Sequence, residues 1–253
     1  MQRVAKNGLA WYTFESFAGL SVIHGAFTRL GGVSRYPFAS LNVGGHVGDD
    51  PAAVAANHRA LCDALGADPT RIADARQVHG DRIARVSGGG THDATDALMT
   101  DVPGVLLLLR FADCVPVWLV DPEHPAIALT HAGWQGTAQR IAAKTVHAMV
   151  ETFGSRPEAL RAGLGPAIGP CCFEVGADVA AQLRASAPEA VLANADHVDL
   201  WAVNAAQLRG EGVAHIEVAH LCASCRTDEF YSHRREAGRT GRYAAVAGLN
   251  DAR

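Results

Sequence analysis

Three residues whose side chains bind soft or borderline metals stand just beyond predicted strands. His79 lies in the segment RQVHG, Cys114 follows the apolar run 105–109, and His131 follows the predicted strand 126–130. The ends of neighbouring strands can converge in space even when they are distant in sequence, and such positions are rigidly held. Two imidazoles and a thiolate leave a fourth tetrahedral position open, which is typical of a catalytic zinc. The separations of 35 and 17 residues match no fixed ligand spacing, so a core-filling cysteine with ordinary hydrogen-bonded histidines remains the alternative.

Alternating strand-like and helical segments must position these residues. Apolar or β-branched runs predict strands at 22–28, 82–86, 104–111, 117–120, 126–130, 213–218 and 243–247. Helices are predicted from an Asp50 N-cap to Gly66, over 135–153, and from an Asp199 N-cap to Gly210. Because strands and helices alternate without a strict βαβ rhythm and no linker interrupts them, the sequence predicts one layered α/β domain over residues 1–253 with a mixed sheet.

The charge balance and the hydropathy pattern exclude several classes of protein. Twenty-two Lys and Arg against 26 Asp and Glu give a net charge of −4, which argues against a broad nucleic-acid-binding face. No apolar run reaches the roughly 18 uninterrupted residues of a membrane helix, and the N-terminal segment lacks the apolar region of a signal peptide. The sequence therefore predicts a cytoplasmic protein with reduced thiols, bound to neither membrane nor nucleic acid. Lys6 and Lys144 are the only lysines, so we expect arginine or backbone N–H groups to hold any phosphate.

The remaining cysteines have several interpretations. Cys62 lies on the apolar face of the first predicted helix and is expected in the core. Adjacent cysteines are poorly placed to chelate one tetrahedral ion, so Cys171 and Cys172 are interpreted as part of an active-site wall. Cys222 and Cys225 form a CxxC pair that could make a second metal site, but a lone CxxC pair is a weak signal for one.

A set of ordered motifs resembles the YfiH-like family, also described as multicopper polyphenol oxidase, laccase-type. The resemblance extends from about Phe27 to Leu249. The matching segments are Thr28–Ser34, Ser40–Gly44, Gln77–His79, Asp96–Thr100, Ala112–Pro116, His131–Trp134, Gly165–Gly176 and Thr240–Arg242.

This resemblance implies a fold, a metal and an activity. The fold is a layered α/β/α domain related to a group of cysteine hydrolases, and the metal is a zinc held by His79, Cys114 and His131. The implied activity is phosphorolysis of adenosine, inosine, guanosine and S-methyl-5'-thioadenosine to free base and ribose 1-phosphate, with hydrolytic deamination of adenosine. The older oxidase description implies copper, and a bacterial branch is linked to editing of peptidoglycan precursors.

Further residues are candidates for catalysis and substrate binding in such an enzyme. Asp113 is the candidate proton shuttle and His233 a general acid or base. Arg29, in the glycine-rich turn, is the first choice for phosphate, with the C-terminal cluster of Arg234, Arg235, Arg239 and Arg242 as the alternative. The substrate-binding candidates are Arg29, Asn42, Gln77, Cys171 and Arg242.

Three rival functions follow from the same residues. Cys114 could be a nucleophile with His131 as its base in a metal-free amide or ester hydrolase. A copper polyphenol oxidase is less well supported, because the chain lacks the several His-rich motifs that multiple coppers require. A non-catalytic binding module is the last alternative. The expected partners are purine nucleosides and phosphate, and the expected state is a monomer or weak homodimer.

Overall fold

The computed structural model describes residues 1–188 and 196–250. Its strands are β1 Gln2–Lys6, β2 Leu9–Thr13, β3 Val22–Phe27, β4 Ile72–Ala75, β5 Ile83–Arg85, β6 Gly90–His92, β7 Ala97–Thr100, β8 Leu106–Phe111, β9 Val115–Asp121, β10 Ala126–Ala132, β11 Arg161–Leu164, β12 His215–Val218 and β13 Tyr243–Leu249. Its helices are α1 Pro51–Leu65, α2 Trp134–Ala138, α3 Ile141–Phe153, α4 Ala177–Ser186 and α5 Leu200–Gly210.

The strands form two mixed sheets. One sheet has seven strands in the order β1-β2-β3-β13-β8-β4-β6, and the other has six in the order β12-β11-β9-β10-β7-β5. Most neighbours are antiparallel, while β4 runs parallel to both β6 and β8, β5 runs parallel to β7, and β11 runs parallel to β12.

The two sheets pack face to face between outer helices. Along β8, Leu107 and Leu109 pack into a core with residues of β9 and β10, whereas Leu106 and Leu108 pack against residues of α1. On the six-stranded sheet, the outward side chains of β9 and β10 pack against α3, α4 and α5. Strands buried on both faces give continuous apolar runs, which is how β8, β9 and β10 appear in the sequence.

The predicted α/β class is confirmed, and the predicted single mixed sheet is corrected to two. An apolar run buried between a helix and a second sheet is indistinguishable from one buried between two helices, because both faces are covered in either case. The resulting order of layers is helix, sheet, sheet, helix.

Helix ends follow the predicted caps in two of three cases. Asp50 accepts a hydrogen bond from Ala52 N, and Gly66 ends α1 with a φ of 68°, a conformation that glycine adopts without strain. Asp199 caps α5 in the same way. The single helix predicted over 135–153 is wrong: it is divided into α2 and α3 at Arg140, whose φ is 61°. Arg140 is held there by hydrogen bonds from its guanidinium to Ser186 O and Glu211, contacts that helical periodicity does not reveal.

Candidate active site and metal centre

The three predicted metal ligands come together at one end of β9 and β10. The ligand atoms of His79, Cys114 and His131 all lie within 4.8 Å of one another. Because β9 and β10 are antiparallel, with His131 opposite Pro116, the start of one strand lies beside the end of the other. Cys114 directly precedes β9, and it therefore reaches His131 although 17 residues separate them. His79 arrives from the loop that follows β4.

Asp96, a buried carboxylate just before β7, holds both histidines in place. It accepts hydrogen bonds from three consecutive backbone N–H groups, those of Val78 (3.1 Å), His79 (3.0 Å) and Gly80 (2.9 Å). Its Oδ1 also lies 2.8 Å from Nδ1 of His131. With Nδ1 donating to the carboxylate, Nε2 of His131 is the ring atom left to bind a metal, an arrangement common among histidine ligands.

Close contact between charged forms shifts the pKa values of Cys114 and His131 in opposite directions. Burial by itself raises the pKa of Cys114, but the charge and hydrogen bond of His131, joined by those of His79, more than offset it and lower the pKa to about 6. Burial by itself lowers the pKa of His131, but the charge of Cys114 and the hydrogen bond to Asp96 outweigh it and raise the pKa to about 9. Without metal, these opposite shifts favour the thiolate of Cys114 and the imidazolium of His131.

Gly133 leaves the space in which the ligands meet. It is the N-cap of α2 with φ −69° and ψ 173°, values open to any residue. A Cβ built on it would lie 2.9 Å from His79 Cδ2 and 3.0 Å from Cys114 Sγ. The glycine is therefore needed here for the close approach of two side chains, and any other residue would displace them.

A cavity of about 670 Å³ opens beside the three ligands. This volume is within the range of small-molecule sites. Its apolar wall includes Trp134, Ile168 and Phe173. Its basic side chains are Arg76, Arg110, Arg234 and Arg242, and the remaining lining residues are Gly44, His46, Val47, Ala75, Gln77, His79, Ala112, Asp113, Cys114, His131, Gln135 and His233. An apolar wall facing arginines suits a ligand with an aromatic part and an anionic part.

Two of the predicted phosphate residues, Arg234 and Arg242, line the cavity. The guanidinium of Arg242 is held by its own backbone segment. Its Nη1 donates to the carbonyl oxygens of Thr240 and Gly241, at 3.0 and 2.9 Å. Burial lowers its pKa, an effect opposed by the nearby charges of Cys114 and Asp113. Within the described residues Arg242 makes no ion pair, so its charge is available to an anion in the cavity.

Arg29, the first choice for phosphate, is not among the residues that line the cavity. Its Nε donates to Ala39 O at 2.8 Å, and its Nη1 contacts Thr227 O at 2.9 Å and the Glu236 carboxylate at 3.0 Å. The guanidinium also lies 4.3 Å from the centre of the Tyr231 ring. Arg29 therefore ties the N-terminal turn to the segment 227–236, and its assignment to substrate is corrected to a structural role.

Asn42 also lies outside the cavity wall, and it positions Arg242. Its Oδ1 accepts hydrogen bonds from Gly44 N (2.9 Å) and Arg242 N (2.8 Å), while its Nδ2 donates to Asp49 (2.8 Å). Because the side chain is fully buried and its polar atoms are engaged, the predicted role of Asn42 in substrate binding is corrected to hydrogen bonds within the protein, with Asp49 and the backbone of Gly44 and Arg242.

Three further candidates from the sequence line the cavity: Gln77, Asp113 and His233. The Gln77 amide pairs with both backbone groups of Arg110, each at 2.9 Å, and so extends the pairing of β8. Asp113 has a φ of 84°, and its Oδ2 accepts a hydrogen bond from Arg234 N at 2.7 Å. Burial raises the pKa of Asp113, and its Oδ1 has no hydrogen-bond partner among residues 1–188 and 196–250.

Cys171 is placed away from the cavity. Its Sγ lies 3.7 Å from that of Cys172 and 3.6 Å from that of Cys225. The expected wall position is thus corrected to a cluster of cysteines, since the turn that carries Cys171 directs it to the segment 222–225.

Asp96, Trp134 and Phe173 were not predicted as site residues from the sequence. All three lie in segments that carry the family resemblance, which is the signal that was available. Their roles depend on contacts between distant segments, and no local pattern marks such contacts.

A match to a family model shows which protein family the chain belongs to. A family model described as "Multi-copper polyphenol oxidoreductase laccase" matches residues 23–250. The chain belongs to this family. The resemblance inferred from the motifs is thereby confirmed.

Relatives of this laccase-type chain are named as nucleoside enzymes. It is 45% identical over 233 residues to "Purine nucleoside phosphorylase" of Deinococcus radiodurans, covering 91% of this chain and 90% of that protein. It is 41% identical over 254 residues to "Purine nucleoside phosphorylase YlmD" of Geobacillus stearothermophilus, covering 93% and 92%.

Solved structures of laccase-type proteins have the same fold. The crystal structure of YlmD from Geobacillus stearothermophilus matches with a TM-score of 0.93 and 39% identity, covering 99% of this chain and 98% of that one. The crystal structure of Bacillus licheniformis hypothetical protein YfiH matches with a TM-score of 0.89 and 37% identity, covering 97% of each chain.

The residues of this laccase-type site fit a metal ion. They supply two imidazoles and one thiolate on convergent atoms, a carboxylate that fixes one imidazole, and a glycine that leaves room between the ligands. Three protein ligands would leave a coordination position open, as in catalytic sites, and all three residues line the cavity.

No helix of the described residues is both long and apolar enough to cross a membrane.

Proposed function

We propose that this protein is a zinc-dependent purine nucleoside phosphorylase that also deaminates adenosine. The observation that carries the proposal is the meeting of His79, Cys114 and His131 at the wall of a nucleoside-sized cavity with aromatic and arginine side chains. Relatives that carry the phosphorylase name at 45% and 41% identity support it. The substrates would be adenosine, inosine, guanosine and S-methyl-5'-thioadenosine, each giving free base and ribose 1-phosphate with phosphate.

Zinc is the metal that this ligand set would hold. A mixed set of imidazole and thiolate ligands with an open position is typical of catalytic zinc. When bound, the ion would supply Lewis acidity and lower the pKa of water to about 7. The protein contributes the orientation, because Asp96 orients the ring of His131 and holds the loop of His79 before any metal arrives.

The cavity side chains would divide the work of phosphorolysis. Phe173 and Trp134 would pack on the faces of the purine, as aromatic side chains do with bases. Arg242 would hold phosphate through two parallel N–H···O bonds, a geometry that lysine cannot provide. His233, which also lines the cavity, would give a proton to the departing purine.

Asp113 would move protons in deamination. Burial raises the pKa of its carboxyl, and one carboxylate oxygen has no partner among the described residues, so Asp113 takes up a proton more readily than an exposed aspartate. It adjoins Cys114 in sequence, so it would lie beside the site at which the purine C6 is attacked.

Chromatography of adenosine reactions tests the proposal. Adenine and ribose 1-phosphate should appear only when phosphate is present, whereas inosine and ammonia should appear with or without it. Cys114→Ala should abolish both products, and Cys62→Ala, a change in the buried face of α1, serves as the control for loss of a thiol. Phosphorolysis by Cys114→Ala at the rate of the control would refute the proposal.

The order Cys114, His131, Asp96 favours a second candidate, a metal-free cysteine hydrolase. In this order a thiol meets an imidazole whose other nitrogen meets a carboxylate, which is the arrangement of catalytic triads. Metal removal separates the two candidates: the hydrolase keeps its amide or ester hydrolysis after chelation, and the phosphorylase loses its activity and regains it with zinc.

The cell compartment and assembly belong to the same proposal. All six cysteines are free, which suits the reducing cytoplasm. A monomer or weak homodimer remains the expected state, and size-exclusion chromatography with light scattering would measure it.

A further inference from the structure

A second cluster of metal-binding side chains lies outside the cavity wall. The sulfur atoms of Cys171, Cys172, Cys222 and Cys225 all lie within 4.8 Å of one another. They come from two loops, one before α4 and one after β12, and at least 50 residues separate a cysteine of one loop from a cysteine of the other. None of the four lines the cavity described above.

The spacing of the sulfur atoms matches a tetrahedral zinc site. Zinc–thiolate bonds are about 2.3 Å long, so the sulfurs of a tetrahedral site lie about 3.8 Å apart. In the cluster, Cys171 lies 3.7 Å from Cys172 and 3.6 Å from Cys225, and Cys172 lies 3.4 Å from Cys225. These three distances are shorter than the ideal by about 0.1–0.4 Å, and the sulfur of Cys222 lies within 4.8 Å of the other three.

The backbone of both loops is arranged around the cluster. The Gly169 carbonyl accepts hydrogen bonds from Cys172 N (2.9 Å) and Phe173 N (3.0 Å), which closes one turn. The Cys222 carbonyl accepts from Cys225 N (3.2 Å), which closes the other. Gly169 N also donates to Cys222 Sγ at 3.2 Å, and N–H···S bonds of this kind support thiolate ligands in metal sites.

The turn at Gly169 explains how adjacent cysteines can share one ion. In an extended segment neighbouring side chains would point to opposite sides. Here the chain reverses, and the sulfurs of Cys171 and Cys172 both reach Cys225. The CxxC pair, Cys222 and Cys225, is therefore completed by the adjacent Cys171 and Cys172, and the common zinc motifs do not contain two adjacent ligands.

We propose that Cys171, Cys172, Cys222 and Cys225 bind one Zn²⁺ as four thiolates, at a site separate from His79, Cys114 and His131. Binding would release the protons of those thiols that are still protonated, and no oxidation is involved. Four protein ligands leave no open position, so the ion is structural.

The position of this zinc gives it a role in shaping the cavity. The loop with Cys171 and Cys172 continues directly to Phe173, and the loop with Cys222 and Cys225 leads to the segment of His233 and Arg234. The two segments already touch within the cavity wall, where the Arg234 guanidinium lies 5.5 Å from the centre of the Phe173 ring. An ion between the loops would fix the apolar wall relative to the basic one.

Metal content per chain tests the proposal independently of activity. The purified protein should contain two zinc ions per chain by inductively coupled plasma mass spectrometry. Cys225→Ser and His79→Ala should each contain one, and the double variant none, whereas Cys62→Ala should keep two. X-ray absorption of His79→Ala should show about four sulfur ligands at about 2.3 Å, because only the cysteine cluster remains loaded.

Three results would overturn the proposal. One is a wild-type protein with a single zinc that His79→Ala loses completely. Another is iron in the cluster, and the third is disulfide bonds among the four cysteines in protein alkylated without reduction. If Cys225→Ser fails to fold, native mass spectrometry of the wild-type protein still counts the ions. Absence of phosphorolysis would leave these counts unchanged, so failure of the proposed activity is distinguishable from failure of this site.

Discussion

Replacement of Gly133 by alanine should disturb the geometry of the metal centre without lowering the stability of the fold. The backbone at Gly133 is open to alanine, so the change introduces no strain of its own. The added Cβ would lie 2.9 Å from His79 Cδ2 and 3.0 Å from Cys114 Sγ. Ordinary carbon contacts lie at about 3.5–4.0 Å, so the His79 ring must move by about 0.6 Å or more.

This displacement exceeds what a metal site tolerates. Metal–ligand distances in proteins vary by about 0.2 Å, and loss of ligand positioning costs about 10–100-fold in metal affinity. We therefore expect Gly133→Ala to bind zinc about 10–100-fold more weakly, which corresponds to about 1.4–2.8 kcal/mol. Competition with a chromophoric chelator measures the affinity, and thermal unfolding of the metal-free protein should be nearly unchanged.

Gly176→Ala provides a matched control. Gly176 is also a helix N-cap, its φ of −68° and ψ of 160° resemble those of Gly133, and a Cβ there would meet no atom within 4 Å. Equal zinc affinity of Gly133→Ala and Gly176→Ala would show that the ligand atoms do not meet beside Gly133. Both glycine variants are compared in a protein that also carries Cys225→Ser, because this change would remove the second proposed zinc ion and leave one site to measure.

Three further predictions follow from single contacts. Asp96→Asn should weaken zinc binding by about 10–100-fold, because it disturbs the hydrogen bond that orients His131 and the bonds to the His79 loop; chelator competition measures it. Arg242→Gln should raise KM for phosphate by about 10–100-fold with a smaller effect on KM for the nucleoside, since a charged hydrogen bond contributes about 1.5–3 kcal/mol; steady-state kinetics with each substrate varied measure it. Burial lowers the pKa of His24 to about 4, whereas the unfolded chain has the ordinary value of about 6.5. The neutral ring therefore contributes its full stability above pH 6.5, and the free energy of unfolding should decrease by up to about 3 kcal/mol as pH falls toward 4. Urea unfolding across that range should show the loss, and His24→Gln should reduce it.

Each of these predictions has a result that contradicts it. Unchanged zinc affinity in Asp96→Asn would show that the carboxylate does not position the ligands. An equal rise in both KM values for Arg242→Gln would indicate a general disturbance of the cavity, and Arg29→Gln offers a comparison at an arginine outside it. The amide oxygen of a glutamine could still accept the hydrogen bond from Phe14 N, so His24→Gln removes the titrating ring and keeps the acceptor. If this variant loses as much stability in acid as the wild type does, the titrating group is not His24.

The fold was predictable where local chemistry sets it. Helix α1 begins at the Asp50 cap and ends at Gly66 because both ends are fixed by residues in the segment itself. The strands β4 and β6, with four and three residues, carry too little periodicity to be predicted, and they exist through pairing with each other and with β8. The division into two sheets likewise depends on pairing between strands that are distant in sequence.

The candidate site was predictable as a set of ligands, and its supports were not. His79, Cys114 and His131 could be named from residue type, strand ends and resemblance. Arg29 was misassigned because an arginine in a glycine-rich turn looks the same whether it faces a cavity or the carbonyls of a segment almost two hundred residues away. The contribution of Asp96 depends on bonds to two separate segments, which no spacing in the sequence records.

The bonds of Asp96 have an evolutionary consequence. Because one carboxylate holds the loop of His79 and the ring of His131 together, changes at these three positions are not independent. Once Asp96 is lost, further replacement of His79 should cost much less than it does in the intact protein. We therefore expect strong epistasis at the site: a lineage should keep the three residues or lose them together, because each single replacement bears the cost of the broken bonds alone.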